Sequence, residues 1–78
     1  MHPVEIYTRP GCGYCEHALA LLTSRHIPFI EYDVYQDSSA LQVLRTRTAN
    51  RTYPQVFINN RSVGGFEELL NINFNNLK

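Results

Sequence analysis

Cys12 and Cys15 are the only two cysteines in the chain. They sit three positions apart in T-R-P-G-C-G-Y-C-E-H, where a β-rich run gives way to a helical one. Five readings of such a pair compete. A structural zinc takes four ligands and one C-x-x-C supplies two; His17 and His26 are within reach in sequence, but there is no second C-x-x-C and no H-x-x-x-H. Covalent haem attachment asks for His directly after the second Cys, and Glu16 stands there. A disulfide serving only as a staple would close a very short loop and remove little denatured-state entropy. Burial as two inert thiols fits poorly with Gly11 and Gly13 on either side of Cys12, which mark an exposed turn.

Redox chemistry accounts for the placement. Cys12 falls at or just before the first turn of a helix, where unpaired backbone N–H groups and the positive end of the dipole favour a thiolate. A free thiol ionises near about pH 8.5, and helix N-termini with nearby cations bring such thiols to roughly 3.5–7.5. Arg9, three residues upstream, adds a cation. Cys15, one turn further in, would be more buried and better kept as a thiol. The asymmetry assigns Cys12 as nucleophile and Cys15 as the thiol that resolves the mixed disulfide.

The elements that must hold this pair follow from pattern. Val4–Thr8 alternates as a strand, with Val4, Ile6 and Thr8 on one face. Pro10 and Gly11 break it. Tyr14 to about Arg25 is helical, with Ala18, Leu19 and Leu22 as its apolar stripe, and Pro28 ends the segment. F-I-E-Y-D-V-Y is a second strand. Q-D-S-S-A-L-Q-V-L-R-T-R-T is a second helix with Asp37 or Ser38 as N-cap and Ala40, Leu41 and Leu44 inward. Gln55–Asn59 is a continuous apolar run, as in a strand covered on both faces. Asn59 and Asn60 favour a tight turn, and R-S-V-G-G returns as a short strand. The tail from Phe66 reads as a helix on Phe66, Leu69, Leu70 and Leu77, although N-I-N-F-N-N also alternates and Asn is a poor helix former. The order is β-α-β-α-β-β-α over residues 1–78, an α/β layered domain.

Composition narrows the class. With 78 residues, seven cations and seven anions, the formal net charge is zero; nucleic-acid binders normally carry a basic surplus. The longest apolar run, Ala18–Leu22, is too short to span a bilayer. No secretory pattern is visible at the N-terminus, so the expected setting is a reducing, cytoplasmic one, and the expected state is a monomer. His2, His17 and His26 read as surface residues. Arg45, Arg47 and Arg51 form a basic cluster, a solvated face able to steer an anion.

Taken together, V-E-I-Y-T-R-P-G-C-G-Y-C, T-Y-P-Q-V-F-I and G-G-F-E-E-L resemble the glutaredoxins over nearly the whole chain. The resemblance implies a thioredoxin-like fold, a four-stranded mixed sheet flanked by three helices. It also implies a glutathione-dependent oxidoreductase acting on protein disulfides and glutathionylated proteins. Thr52, Tyr53 and Pro54 match the family's T-V-P, whose proline is cis and whose backbone faces an extended peptide. Gly65, Phe66 and Glu67 match G-G-x-D-D, where N–H groups at a helix start hold the γ-glutamyl carboxylate. Arg9 matches the residue pairing the glycyl carboxylate, and Tyr14 the tyrosine packed on the tripeptide. Leu41 stands where the family often has Gln or Arg, so that contact would be missing or would fall to Gln42 or Arg47.

Gly13 replaces the proline of the common C-P-Y-C motif. That opens a further reading by resemblance, a [2Fe–2S] cluster bridged between two copies through Cys12 and two glutathiones, for which Cys12 would be the metal ligand. The short length and G-G-F also suit a glutaredoxin-like redoxin reduced by thioredoxin reductase and serving ribonucleotide reductase, although those proteins resemble C-V-Q-C at the active site and lack a glutathione pocket. Thioredoxin itself fits less well: the chain has no Trp, and Tyr14 stands where a proline would be.

Overall fold

A computed structural model describes residues 3–77, and the side chains of Asn76 and Leu77 fall outside that description, as does His2. The strands are β1 (Val4–Thr8), β2 (Ile30–Asp33), β3 (Gln55–Ile58) and β4 (Arg61–Gly64), and the helices α1 (Gly13–Ser24), α2 (Ser38–Arg47) and α3 (Phe66–Leu70). They form one mixed sheet in the order β2-β1-β3-β4. β1 runs parallel to β2 and antiparallel to β3, which is antiparallel to β4. This is the thioredoxin-like arrangement.

β1 lies inside the sheet and is covered on both faces. Val4 and Ile6 join Ala18, Leu22, Val56 and Leu69 beneath α1 and α3. Tyr7 points the other way, into a cluster with Val34, Ala40, Leu44 and Phe57 beneath α2. The alternation of the sequence therefore separates two cores rather than a core from solvent.

The first helix stops for a reason other than Pro28. His26 takes a left-handed φ of 57°; its N–H donates to the Thr23 carbonyl, and that of Ile27 donates to the Leu22 carbonyl. Together they make a Schellman termination with Ile27 packed on the core. The second strand is shorter than F-I-E-Y-D-V-Y because Asp33 Oδ1 accepts from the N–H groups of Tyr35 and Gln36 at 2.9 and 3.3 Å, turning the chain. Asn59 and Asn60 have φ of 52° and 68°, the left-handed pair a tight hairpin needs.

The tail departs most from expectation. α3 ends at Leu70, Asn71 caps it, and a separate 3₁₀ turn follows at Phe74–Leu77. Leu70 is exposed, and Phe74, not in the expected stripe, is buried. Asn71 and Asn73 offer local hydrogen bonds that compete with helix: Asn71 Nδ2 donates to the Glu67 carbonyl, and Asn73 Oδ1 accepts from the N–H of Asn75.

Asp37, not Ser38, caps α2. Its Oδ1 accepts from the Ser39 hydroxyl at 2.6 Å and from the N–H groups of Ser39 and Ala40 at 3.0 and 3.2 Å. The Ser39 hydroxyl, then the Ala40 N–H, hold this carboxyl below the ordinary aspartate range. A depressed acid stabilises the fold fully above its unfolded pKa, and the contribution disappears as pH falls through the lower folded value. Asp37→Asn keeps a good capping residue but removes the titration. Acid denaturation of this variant is expected to be shallower than that of the parent on the limb below the usual aspartate range, measured by circular dichroism.

Candidate active site

Gly11, with φ of +72°, turns the chain after β1 and delivers Cys12 to the start of α1. Cys12 is the N-cap residue. Its backbone is extended, and its Sγ accepts the Cys15 N–H at 3.1 Å. Cys12 is half-buried while Cys15 is 2% exposed. The two sulfurs are joined, with Cα atoms 5.2 Å apart. The structure is thus the oxidised form of a pair with one accessible and one covered sulfur. At the first turn of α1 an unpaired N–H already points at the accessible sulfur, and the helix dipole adds to it. An added Cβ at Gly13 would meet nothing within 4 Å, so no crowding demands glycine there.

Two clefts meet beside this turn, and Tyr53 lines both. The smaller, about 170 Å³, is bounded by Tyr14, Tyr53, Pro54, Phe66, Glu67 and Glu68. The Tyr53–Pro54 peptide bond is cis. Tyr14, 61% exposed, lies with its ring 6.1 Å from that of Phe66. The first-turn N–H groups of α3, at Phe66 and Glu67, have no carbonyl partner within the helix. Gly65 sits close under the loop: an added Cβ would be 3.4 Å from the Pro54 carbonyl oxygen. Arg9 places its guanidinium over the Tyr53 ring, 5.2 Å from its centre. The structure therefore gathers Arg9, Tyr14, Tyr53, Pro54, Gly65, Phe66 and Glu67 around the turn that carries Cys12.

Thr52 is placed beside them, with its hydroxyl already engaged. Gln55 Nε2 donates to the Thr52 carbonyl at 2.7 Å and to Oγ1 at 3.1 Å. Gln55 is itself buried, and its Oε1 has no partner among the described residues.

Arg47 does not serve the site. It forms a bidentate pair with Glu5 at 2.9 and 3.0 Å, donates to the Tyr7 hydroxyl and to Asn60 Oδ1 at 3.0 Å, and lies 3.9 Å from the Phe57 ring centre. Gln42 is exposed and does not line either cleft. The basic cluster splits accordingly, with Arg45 and Arg51 on the larger cleft alongside Leu41.

Glu68 was not singled out in the sequence. Its Oε1 accepts the Gly65 N–H at 2.7 Å, half of a capping box. G-x-x-E before a helix was the available signal. Gly64 has φ of +116°, and a Cβ there would meet Glu68 Oε1 at 2.8 Å. Gly64→Ala is expected to destabilise by about 1–3 kcal/mol through backbone strain and to displace the Glu68 cap. Thermal unfolding measures the first effect, and hydrogen exchange at Gly65 the second.

The family follows from comparison with known proteins. Residues 4–63 match the glutaredoxin family model. The chain belongs to the glutaredoxin family. Its activity class is that of the thiol–disulfide oxidoreductases, and Cys12–Cys15 is the matching C-x-x-C pair. A probable glutaredoxin from Synechocystis is 40% identical over 67 residues, covering 85% of this chain and 62% of the relative's length. A buckwheat glutaredoxin solved as a glutathione complex superposes with a TM-score of 0.77 at 28% identity, covering 88% of this chain and 66% of that one. NrdH-redoxin from Escherichia coli, a glutaredoxin-like protein described as having a thioredoxin-like activity profile, superposes with a TM-score of 0.77 at 26% identity. That match covers 97% of this glutaredoxin-family chain and 95% of its counterpart. Among the described residues no helix is long and apolar enough to cross a membrane.

Proposed function

We propose that this protein is a glutathione-dependent dithiol oxidoreductase, reducing protein disulfides and glutathione mixed disulfides in a reducing, cytoplasmic setting. The observation that carries this reading is the Cys15 N–H aimed at the Cys12 sulfur at 3.1 Å, beside a cleft lined by Tyr14, Tyr53, Pro54, Phe66 and Glu67. In the reduced protein the Cys12 thiolate attacks a disulfide sulfur. An S–S bond forms to the substrate, and the leaving thiolate takes a proton. Cys15 then attacks the Cys12 sulfur, releasing the second substrate thiol and closing the Cys12–Cys15 disulfide. One glutathione thiolate reopens that disulfide on Cys12. A second attacks the glutathione sulfur of the mixed disulfide, leaving oxidised glutathione and restoring the Cys12 thiolate.

Glutathione would lie across Tyr53 as an added extended segment. Its γ-glutamyl carboxylate would meet the Phe66 and Glu67 N–H groups beside Gly65, its backbone would run along Thr52–Tyr53–Pro54, Tyr14 would flank its sulfur, and its glycyl carboxylate would face Arg9. Buckwheat glutaredoxin, solved as a glutathione complex, supports glutathione as the ligand by analogy.

The likeness to NrdH-redoxin favours one alternative, reduction by thioredoxin reductase in place of glutathione. Steady-state turnover with each reducing system separates them: activity that saturates with glutathione supports the main reading, and activity only with thioredoxin reductase overturns it. The [2Fe–2S] reading meets a donor shortfall, because a cluster takes four thiolates and this chain contains two cysteines. Two copies and two glutathiones would be required, and no step above uses a cluster. Reconstitution with iron, sulfide and glutathione is expected to leave a colourless monomer.

A further inference from the structure

The larger cleft, about 780 Å³, is more than the glycyl end of a tripeptide needs. Three arginines line it from three segments: Arg9 after β1, Arg45 on α2, and Arg51 in the loop before Thr52. Its lining includes no carboxylate. The only ion pair among the described residues joins Arg47 to Glu5, so Arg45 and Arg51 have no acidic partner there. Arg45 lies one turn beyond Leu41 on the same face of α2, which puts its charge beside an apolar wall. Tyr35, 83% exposed, also lines the cleft. Glu31, Asp33 and Asp37 line a different depression at the β2 edge. A chain of zero formal net charge thus gathers uncompensated positive charge next to Pro10 and Gly11, the residues leading into Cys12.

We propose that this cleft docks an acidic segment of the protein substrate, the stretch flanking the disulfide that Cys12 attacks. The proposal rests on the oxidoreductase reading but not on the identity of the reductant. Arg9 answers the single glycyl carboxylate of glutathione, and Arg45 with Arg51 answers the carboxylates of a longer partner. Tyr35 and Leu41 supply apolar contact between those charges. Complementary charge acts mainly on the encounter rate, which makes the preference sensitive to salt.

The test uses the full chain, reduced beforehand and freed of reductant, in single-turnover reaction with two peptides. Each carries one internal disulfide, flanked by Asp and Glu in one peptide and by Lys in the other. Two electrons pass from the protein dithiol to the peptide disulfide, so glutathione is not needed. At low ionic strength the second-order rate constant is expected to be about tenfold or more higher for the acidic peptide, with the ratio shrinking as salt is added. Arg45→Glu and Arg51→Glu should bring the ratio towards one or below it. Arg61→Glu, an equal charge change on β4 away from the cleft, should leave the ratio near the parent value. Equal rates for both peptides in the parent, or an equal fall with Arg61→Glu, overturn the proposal. If neither peptide is reduced, the oxidoreductase reading fails instead. Because each ratio is internal to one variant, a loss of overall activity does not obscure it, and the salt dependence of the parent stands without any variant.

Discussion

Cys12→Ser is expected to reduce turnover of a glutathione mixed disulfide by roughly a thousandfold or more, the scale on which removal of an enzyme nucleophile acts. The hydroxyl that replaces the sulfur sits in the same N-cap geometry, and serine caps a helix well, so the fold should survive. The loss is then chemical, since a serine hydroxyl is neither ionised at neutral pH nor able to form the mixed disulfide. Cys15→Ser separates two roles. Mixed disulfides need only Cys12 and added glutathione, so their turnover should persist. Protein disulfides need the buried Cys15 thiol to release the second substrate sulfur, so their reduction should be lost. Comparable loss of both activities in Cys15→Ser would show that Cys15 does more than resolve.

Arg47→Met is expected to cost about 2–4 kcal/mol of stability. The side chains of Arg47 and Glu5 are only 16% and 20% exposed. Methionine keeps an apolar stem over Phe57 but leaves the Glu5 carboxylate and the Tyr7 hydroxyl without their donor. The Glu5 carboxylate, and secondarily the Tyr7 hydroxyl, raise the guanidinium above its ordinary range. A raised base contributes fully below its unfolded pKa and loses that contribution only above it, so Arg47 holds its charge across the neutral range. For a domain of this size the thermal midpoint should fall by at least about 8 °C. At temperatures where the variant stays folded, its KM for glutathione should match the parent's, because Arg47 faces the sheet and not the cleft. A raised KM without loss of stability would return Arg47 to the site.

The strand and helix order was legible because Pro10–Gly11, Asn59–Asn60 and Gly64–Gly65 punctuate runs of different period. The Cys12 turn was legible for the same reason: a strand ends, a helix begins, and the first cysteine falls on the boundary. What pattern could not resolve was direction. Arg45 and Arg47 are two residues apart, about 200° around a helix, so one lines the cleft and the other crosses to β1. Their shared charge had suggested a single basic face. The tail failed where spacing and propensity disagreed. Leu70 and Leu77 have helical spacing, but the intervening asparagines bond their own neighbours, and Phe74 takes the core position through a separate turn. Pro28 is a stop signal by type, whereas the chain turns two residues earlier on the left-handed His26, a residue type only weakly favoured there.

The most direct measurement is the pH dependence of alkylation of the fully reduced protein by iodoacetamide, with the modified sulfur located by peptide mapping. The account predicts that Cys12 alone reacts at first, with a midpoint below the value of about 8.5 for an unperturbed thiol. Alkylation that follows an ordinary thiol titration, or that begins on Cys15, would contradict it.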